Sequence, residues 1–253
     1  MSKQLHIWLF IFLGTLLTST SLLAQGVITM TTSQRVGEEI ALRIEANGNV
    51  TIEGAQKTGK KGANDRKSYR LTSQTITIRG DVTELDCYNS ELTSLDVSKN
   101  AALTNLECGE NKLTSLNVSK NTALTELTCY SNQLTSLDVS KNTALETLYC
   151  YNNQLTSLNV SQNTALETLY CPNNKLTNLN VSGCARLTII DCSSNYIKGK
   201  AMTKLVNSLP NRRKKSSGTI FLVDRSSERR DKNRYSAADV TTAKRKNWEV
   251  RQY

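Results

Sequence analysis

Six cysteines recur at intervals of 21 residues, and their thiols are the side chains best placed for chemistry. They are Cys87, Cys108, Cys129, Cys150, Cys171 and Cys192. Thiols at a fixed spacing can form disulfides or bind a metal ion. Metal binding is disfavoured because no CxxC pair and no histidine accompanies the series. A seventh cysteine, Cys184, lies outside the series, and the sequence indicates no function for it. It occupies the position that asparagine holds in other units, which predicts a degenerate corner in the last turn; those asparagines are Asn100, Asn121, Asn142 and Asn163.

The disulfide alternative conflicts with the local sequence pattern. Around Leu127 and Cys129, apolar and outward-facing residues alternate, which is typical of a strand with one buried side. On neighbouring in-register parallel strands, equivalent positions lie ~4.8 Å apart and their side chains point the same way. A disulfide needs β-carbons ~3.8 Å apart and a torsion angle near ~90°. We therefore interpret the six cysteines as a buried structural ladder of free thiols that fills a narrow core.

The sequence contains few groups of residues that could act together in catalysis. The only histidine, His6, is predicted to leave with a signal peptide, so a Ser/His, Cys/His or His-metal site is not expected. Carboxylates such as Glu107, Glu126 and Glu146 leave hydrolase chemistry formally open. An open sheet face, however, offers little desolvation to separate the pKa values of an acid and a base. We expect no enzymatic activity, no cofactor and no metal site.

The elements that position these residues belong to a repeat. The unit LETLYCYNNQLTSLNVSQNTA has leucines at its first, fourth and eleventh positions and asparagine at its ninth. This period and pattern predict a leucine-rich-repeat solenoid that is β-rich, with a parallel sheet and a right-handed coil. The second half of each unit, such as LTSLDVSKN, is predicted to be extended as well. A second structural ladder, predicted to satisfy backbone groups at a tight corner, comprises Asn111, Asn132, Asn153, Asn174 and Asn195.

The flanking sequences differ from the repeat and suggest four parts. We predict a signal peptide at 1–24, an N-terminal β cap at 25–81, about five and a half repeats at 82–197 and a C-terminal α/β cap at 198–253. Within the first cap, residues 56–67 are predicted to form a loop, and Ile76 is predicted to match Val97 as the first return-side strand. The second cap is predicted to contain two helices, the second capped by Ser236, and two further parallel strands, with Trp248 in its core.

Charge is distributed unevenly along the chain. The repeats at 81–197 carry six Lys/Arg against twelve Asp/Glu, whereas 198–253 carries sixteen against five. We expect an exported protein, extracellular or at the cell surface, with the periplasm as an alternative. No transmembrane segment is expected after signal removal, and a monomer is expected. Nucleic acid is a poor fit, because export removes that partner and no stacking aromatic is interleaved with the basic residues.

The outward positions beside the cysteines predict a binding surface. They collect tyrosines and carboxylates, and exposed aromatic clusters often mark recognition surfaces. Cross-strand stacking that only stabilises the sheet is the alternative interpretation. The predicted partner-binding residues are Tyr88, Glu107, Glu126, Tyr130, Tyr149, Tyr151 and Tyr170. The predicted function is protein binding or adhesion, with a host or envelope protein as partner.

A second functional hypothesis rests on the basic C-terminal segment. Its two clusters are Arg212, Arg213, Lys214 and Lys215, followed by Arg225, Arg229, Arg230, Lys232 and Arg234. In this alternative the protein is an envelope component that binds a glycan or an anionic surface such as lipopolysaccharide, and its binding weakens with salt. Solvated loops without a ligand are the simpler explanation of the same clusters.

The repeat LxxLxCxxNxLTSLDVSxNTA resembles the cysteine-containing leucine-rich repeats of internalin-J-like bacterial surface proteins, in particular secreted versions from the Bacteroidota. The resemblance covers 82–197 and extends to VTIEG before the repeats and to AMTKLVNSLP and KNWEVRQY after them. It implies adhesion or protein binding, often by a surface-tethered protein. This sequence departs from that pattern in having no LPxTG-type anchor and no lipid-modified cysteine, so secretion or periplasmic residence stays open.

Overall fold

A computed structural model describes residues 26–61, 65–224 and 231–252. Within these ranges, thirteen strands form one sheet and two helices lie near its C-terminal end. In chain order the elements are β1 (Val27–Thr32), β2 (Glu39–Glu53), β3 (Ala55–Lys61), β4 (Lys67–Leu71), β5 (Thr75–Asp86), β6 (Leu92–Lys99), β7 (Asn105–Glu107), β8 (Glu126–Thr128), β9 (Thr147–Tyr149), β10 (Thr168–Tyr170), β11 (Ile189–Asp191), α1 (Lys200–Ser208), β12 (Gly218–Val223), α2 (Ala237–Arg245) and β13 (Trp248–Gln252). The signal peptide predicted at 1–24 lies outside the described residues.

The repeats form the centre of the sheet, with one three-residue strand in each coil. Strands β7 to β11 are parallel and pair without any register shift, so Leu106, Leu127, Leu148, Leu169 and Ile190 lie side by side. Because the register equals the 21-residue sequence period, each position of the unit forms a straight row across the sheet. This geometry confirms the predicted parallel leucine-rich-repeat solenoid.

The core of each coil is built from apolar side chains that recur at fixed positions of the unit. In the coil of Leu124 and Leu127, the side chains of Leu134 and Val139 are also 0% exposed, and Leu137 is 6% exposed. Burial of one such side chain stabilises the fold by about 1.5–3 kcal/mol. A single coil leaves the two sides of its apolar layer open, and neighbouring coils cover them, so stability depends on stacking.

The return halves of the units are less regular than predicted. In the first unit, β6 is a full strand and pairs with β1, whereas the later return halves contain one isolated bridge, between Asn159 and Asn180. An Asp or Asn in each return half accepts a hydrogen bond from the backbone N–H of the serine two residues later, as Asp138 does from Ser140 at 2.9 Å. The same turn is present within β6, where Ser98 donates to Asp96 at 2.9 Å, so it does not by itself prevent strand pairing. No helix forms in these described return halves, and the extended conformation of the later ones stays a prediction.

The N-terminal segment is β-rich and continues the repeat sheet, because β5 pairs in parallel with β7. Two predictions for this segment were wrong. Residues 55–61 form β3 and β4 begins at Lys67, so most of the predicted loop at 56–67 is an antiparallel hairpin. Ile76 does not adjoin Val97, because β1 lies between β5 and β6 and is antiparallel to both.

The C-terminal segment contains the helices and strands that its sequence predicts. Ser236 caps α2, and its side chain and that of Asp239 exchange hydrogen bonds with each other's backbone N–H. Strands β12 and β13 extend the sheet in parallel after β11. Trp248 is 2% exposed and packs over Gly218, where a β-carbon would lie 2.7 Å from the indole ring. The proposed boundaries at 25, 82 and 198 stay predictions, since the last two fall within one continuous sheet.

Candidate functional site

The six ladder cysteines all lie in the core. Each is 0% exposed and free of disulfides. Burial raises the pKa of every ladder thiol, and the pKa of Cys129 reaches about 12. A thiol that is protonated at neutral pH is a poor nucleophile and a poor metal ligand. The ladder therefore contributes packing and offers no reactive site.

The ladder asparagines tie successive coils together through their side-chain amides. Asn132 donates from Nδ2 to the carbonyls of Cys108, Cys129 and Tyr130 at 3.0–3.2 Å. Its Oδ1 accepts from the backbone N–H of Leu113 at 3.0 Å. The same bonds recur for Asn111, Asn153, Asn174 and Asn195. These asparagines are buried and bonded on all sides, so they offer little to a ligand.

A second amide row lies on the return side, at the position of the unit that Cys184 occupies in the last repeat. Its members are Asn100, Asn121, Asn142 and Asn163, all 0% exposed. Asn142, for example, donates to the carbonyls of Val118 and Asn121 at 3.0 and 2.8 Å. Cys184 fills the next position of this row, and its thiol donates to the carbonyl of Val160 at 3.3 Å. The seventh cysteine thus takes the place of an asparagine, as its 21-residue distance from Asn163 predicts.

The surface side chains beside the cysteines form two rows along the solenoid. The pre-cysteine row is Asp86, Glu107, Thr128, Tyr149, Tyr170 and Asp191, and the post-cysteine row is Tyr88, Gly109, Tyr130, Tyr151, Pro172 and Ser193. Between them runs a groove of about 660 Å³, which we call the tyrosine groove. Its lining includes Glu107, Glu126, Thr128, Tyr130, Tyr149, Tyr151, Tyr170, Pro172, Asp191 and Asp224.

The groove tyrosines are stacked in two pairs. The rings of Tyr130 and Tyr151 are 4.4 Å apart between centroids and only 5° from parallel. The rings of Tyr149 and Tyr170 are 5.2 Å apart at 29°. Gly109 leaves space for Tyr130, because a β-carbon there would lie 3.0 Å from that ring. Burial is the largest cause of the raised pKa of Tyr130, Tyr151 and Tyr170, so their hydroxyl groups stay protonated at neutral pH.

Six of the seven predicted partner-binding residues line this groove, and Tyr88 is the exception. Its ring is 6.1 Å from that of Tyr130, and the Arg66 guanidinium lies 5.3 Å from its centroid. Arg66 also donates to the Tyr88 carbonyl at 2.9 Å and pairs with Asp86 at 3.8 Å. Tyr88 therefore joins the groove to the N-terminal segment. Asp86, Thr128 and Asp191 were predicted to face outward but are 2–7% exposed.

Two acidic residues lie at the N-terminal end of the tyrosine groove. Burial, followed by the charge of Asp86, raises the pKa of Glu107, although Arg43 and Arg66 oppose the shift. Glu126 contributes to the same shift and accepts a hydrogen bond from Asn105 at 3.2 Å. The groove thus combines aromatic walls with a half-buried carboxyl group at Glu107 and an exposed one at Glu126.

The basic C-terminal clusters are only partly available as a surface. Arg212 is 6% exposed and donates to the carbonyls of Leu187 and Ser216 at 2.9 and 3.0 Å. Its guanidinium lies 5.9 Å from the Trp248 ring. The prediction that Arg212 is a solvated loop residue was therefore wrong. The exposed members of the two clusters are Arg213, Lys214, Lys215, Lys232 and Arg234. Arg225, Arg229 and Arg230 lie outside the described residues.

The described ranges contain neither a metal-binding cluster nor a membrane-spanning helix. There, no group of three or more His, Cys, Asp or Glu side chains is arranged to hold a metal ion. His6 lies outside these ranges. No helix in the described part of the chain has the length and apolar character needed to cross a membrane.

The repeat region is similar to known proteins in sequence and in structure. Residues 122–163 match a family model described as leucine-rich repeats in two copies. No curated protein sequence matches the chain. Among solved structures, the chain is similar to an internalin (InlF) from Listeria monocytogenes at 16% identity and a TM-score of 0.44, covering 66% of this chain and 55% of that one.

Two further structures from Listeria monocytogenes are similar. The functional domain of InlJ, which includes a cysteine ladder, is 24% identical with a TM-score of 0.25, over 72% of this chain and 56% of that one. Internalin C2 is 18% identical with a TM-score of 0.44, over 68% and 81%. The matches span little more than half of the InlF and InlJ chains. The family match over 122–163 and the in-register coils from β7 to β11 together show that the repeats of this chain form a leucine-rich-repeat solenoid.

Proposed function

We propose that this chain is an exported binding protein that engages a protein partner, of the host or of the bacterial envelope, through the tyrosine groove. The observation that carries the proposal is the groove itself. Four tyrosines from three successive coils line one concave space of about 660 Å³. Tyrosine gives a large contact area for little loss of conformational entropy and is enriched at binding hot spots.

The repeat pattern supports a role beyond folding for these tyrosines. The same two rows hold Thr128, Gly109, Pro172 and Ser193 in other coils, and those coils keep the same strand pairing. A tyrosine is therefore not required at these positions by the solenoid. Cross-strand stacking contributes some stability at Tyr130 and Tyr151, but it does not explain why both rows carry tyrosine in the same part of the sheet.

A capture experiment tests the proposal. The groove variant is Tyr130→Ser, Tyr149→Thr, Tyr151→Ser and Tyr170→Thr, which uses residue types that the two rows already contain. The matched control is Tyr196→Ala, at a tyrosine that is 44% exposed and lies outside the tyrosine groove. We expect immobilised wild type and control to retain the same proteins from envelope or host-surface extracts, and the folded groove variant to lose them. Unchanged retention by the groove variant contradicts the proposal.

The alternative proposal is that the exposed basic residues of the C-terminal segment bind an anionic envelope surface. Arg213, Lys214 and Lys215 are the residues that favour it, since all three are exposed next to each other. Charge reversal there, with Arg212 left intact, is expected to release the protein from lipopolysaccharide vesicles and to remove the salt dependence of binding. Retention that is insensitive to both salt and charge reversal contradicts this alternative.

A further inference from the structure

The tyrosine groove is lined by acidic residues, so a partner that binds there must carry the complementary positive charge. The described residues that line it include the acidic residues Glu107, Glu126, Asp191 and Asp224, and none of them is a lysine or an arginine. A concave surface lined by one sign of charge focuses the electrostatic potential and attracts ligands of the opposite sign. The groove therefore favours a cationic occupant.

The stacking of the rings limits how that occupant can bind. Tyr130 and Tyr151 face each other at 4.4 Å, and Tyr149 and Tyr170 at 5.2 Å. One face of each ring is consequently covered by its stacked partner, which leaves fewer faces on which a sugar ring could stack. The pairs offer a ligand their outer faces, ring edges and hydroxyl groups. Hydroxyl oxygens and carboxylates accept hydrogen bonds, and a guanidinium offers five donors in a rigid plane.

The dimensions of the groove fit an extended peptide. Glu107 is on β7 and Asp191 is on β11, which is four strands further along the sheet. At ~4.8 Å per strand these residues are about 19 Å apart. An extended chain that rises ~3.3 Å per residue covers this distance with about six residues. Asp191 already accepts hydrogen bonds from Ser193. Arg43 lies beside Glu107 and Glu126 but forms no ion pair with either of them within the described residues, so these two glutamates are the better acceptors for a new cation.

From this geometry we infer that the tyrosine groove binds an extended, arginine-bearing segment of a protein partner, with a guanidinium held by Glu107 and Glu126. The inference rests on the proposed function and specifies the chemistry of the partner. A guanidinium in this position neutralises two neighbouring carboxyl groups and donates to both of them. The tyrosine hydroxyls further along the groove accept from the following residues of the segment.

The chain offers a matched pair of variants to test this inference. Glu107→Gln with Glu126→Gln removes two charges from the groove and keeps the size of both side chains. Asp96→Asn with Asp138→Asn removes two charges from the return side. Asn117, Asn159 and Asn180 occupy the equivalent positions of other units and accept the same serine N–H, so the control variant is expected to fold normally.

The probe is fluorescein-labelled hexa-arginine at low ionic strength, with labelled hexa-glutamate as the charge-reversed peptide. We expect the wild-type protein to bind hexa-arginine and not to bind hexa-glutamate. The dissociation constant should rise at least tenfold in the Glu107/Glu126 variant and less than twofold in the Asp96/Asp138 variant. An equal loss in both variants would indicate attraction to the overall charge and overturn the inference, as would the absence of hexa-arginine binding to wild type.

The capture experiment separates this inference from the proposed function. If the groove variant of the four tyrosines loses a captured protein while the Glu107/Glu126 variant retains it at wild-type affinity, the groove binds protein without an arginine. The inference then fails while the proposed function stands. If both variants retain the protein, the proposed function fails as well.

Discussion

The side-chain amide of Asn132 donates to the main-chain carbonyl of Cys108, one coil earlier, at 3.0 Å. This contact joins the two ladders of the solenoid, because the asparagine of one coil satisfies the backbone beside the cysteine of the previous coil. Its recurrence along the repeats makes the cysteine side of each coil uniform. The tyrosine groove lies on this rigid frame, so its side chains are held at fixed spacing.

Replacement of Asn132 by alanine is expected to destabilise the protein by about 2–4 kcal/mol. The change leaves buried groups of Leu113, Cys108 and Cys129 without their partner, and each unsatisfied group costs about 1–3 kcal/mol. Urea denaturation followed by circular dichroism measures the effect. The exposed neighbour Gln133→Ala serves as control and should change stability by less than about 0.5 kcal/mol. Equal effects of the two changes would contradict the structural role of the ladder.

The free energy of unfolding is expected to fall as the pH rises above about 9. Burial holds the pKa of Cys129 at about 12 in the folded protein, whereas an ordinary thiol titrates near 9.0. Below pH 8 the thiols are protonated in both the folded and the unfolded protein, so their ionisation does not change the free energy of unfolding. Above pH 9 the unfolded chain releases protons that the folded protein retains, so unfolding becomes more favourable.

The pH dependence can be attributed to the thiols by substitution. One such thiol contributes up to about 1.4 kcal/mol per pH unit, so Cys129→Ala should reduce the slope between pH 9 and 10.5 by about that amount. The measurement is the urea-unfolding free energy of both proteins at several pH values. Identical slopes would show that Cys129 titrates normally in the fold. The native ladder should also resist a thiol reagent that modifies it readily in denaturant.

Replacement of Cys184 by asparagine is expected to change the stability of the protein by less than about 1.5 kcal/mol. An amide at this position can reproduce the bond to Val160 and add a bond to the carbonyl of Asn163, as Asn163 does to Asn142. Its Oδ1 would be buried without a partner, as it is in the other asparagines of the row, and this cost offsets the gain. Thermal or urea unfolding measures the difference. Cys184→Ala is the control and should lose more stability, because it removes the thiol's hydrogen bond and leaves a small cavity. An asparagine variant that is less stable than the alanine variant would show that this last position differs from the rest of the row.

Replacement of Arg212 by alanine is expected to destabilise the protein by about 2–3 kcal/mol. The guanidinium satisfies the carbonyls of Leu187 and Ser216 beneath the last strands, and its loss leaves the buried carbonyl of Leu187 unpaired. Lys214→Ala, at an exposed position two residues away, is expected to change stability by less than about 0.5 kcal/mol. Unfolding curves that do not distinguish the two variants would contradict the assignment of Arg212 to the core.

The parts of this fold that depend on local or periodic signals could be predicted from the sequence. The 21-residue period placed Leu127 and Cys129 inside and Tyr130 outside, because a strand alternates its side chains. Ser236 and Asp239 marked the start of α2 because capping is a local interaction. The packing of Arg212 against Trp248 escaped prediction, since it joins residues that are distant in sequence.

The groove was only partly predictable for the same reason. Its tyrosines and carboxylates follow from the strand period, and the sequence placed them on one surface. The burial of Asp86 depends on Arg66 from the N-terminal segment, which no pattern within the repeats reveals. The approach of Tyr130 to Gly109 and the resulting ring stack likewise depend on side-chain directions that alternation does not specify.

Hydroxyl-radical footprinting of the wild-type protein, with and without a captured partner, tests directly whether the tyrosine groove is the binding surface. No substitution is needed, so a change in folding cannot confuse the result. We predict that Tyr130, Tyr149, Tyr151 and Tyr170 become several-fold less reactive in the complex, while Tyr196, outside the groove, keeps its reactivity. Protection of Tyr196 or of the return side, with the groove tyrosines as reactive as before, would contradict the claim that the tyrosine groove is the binding surface.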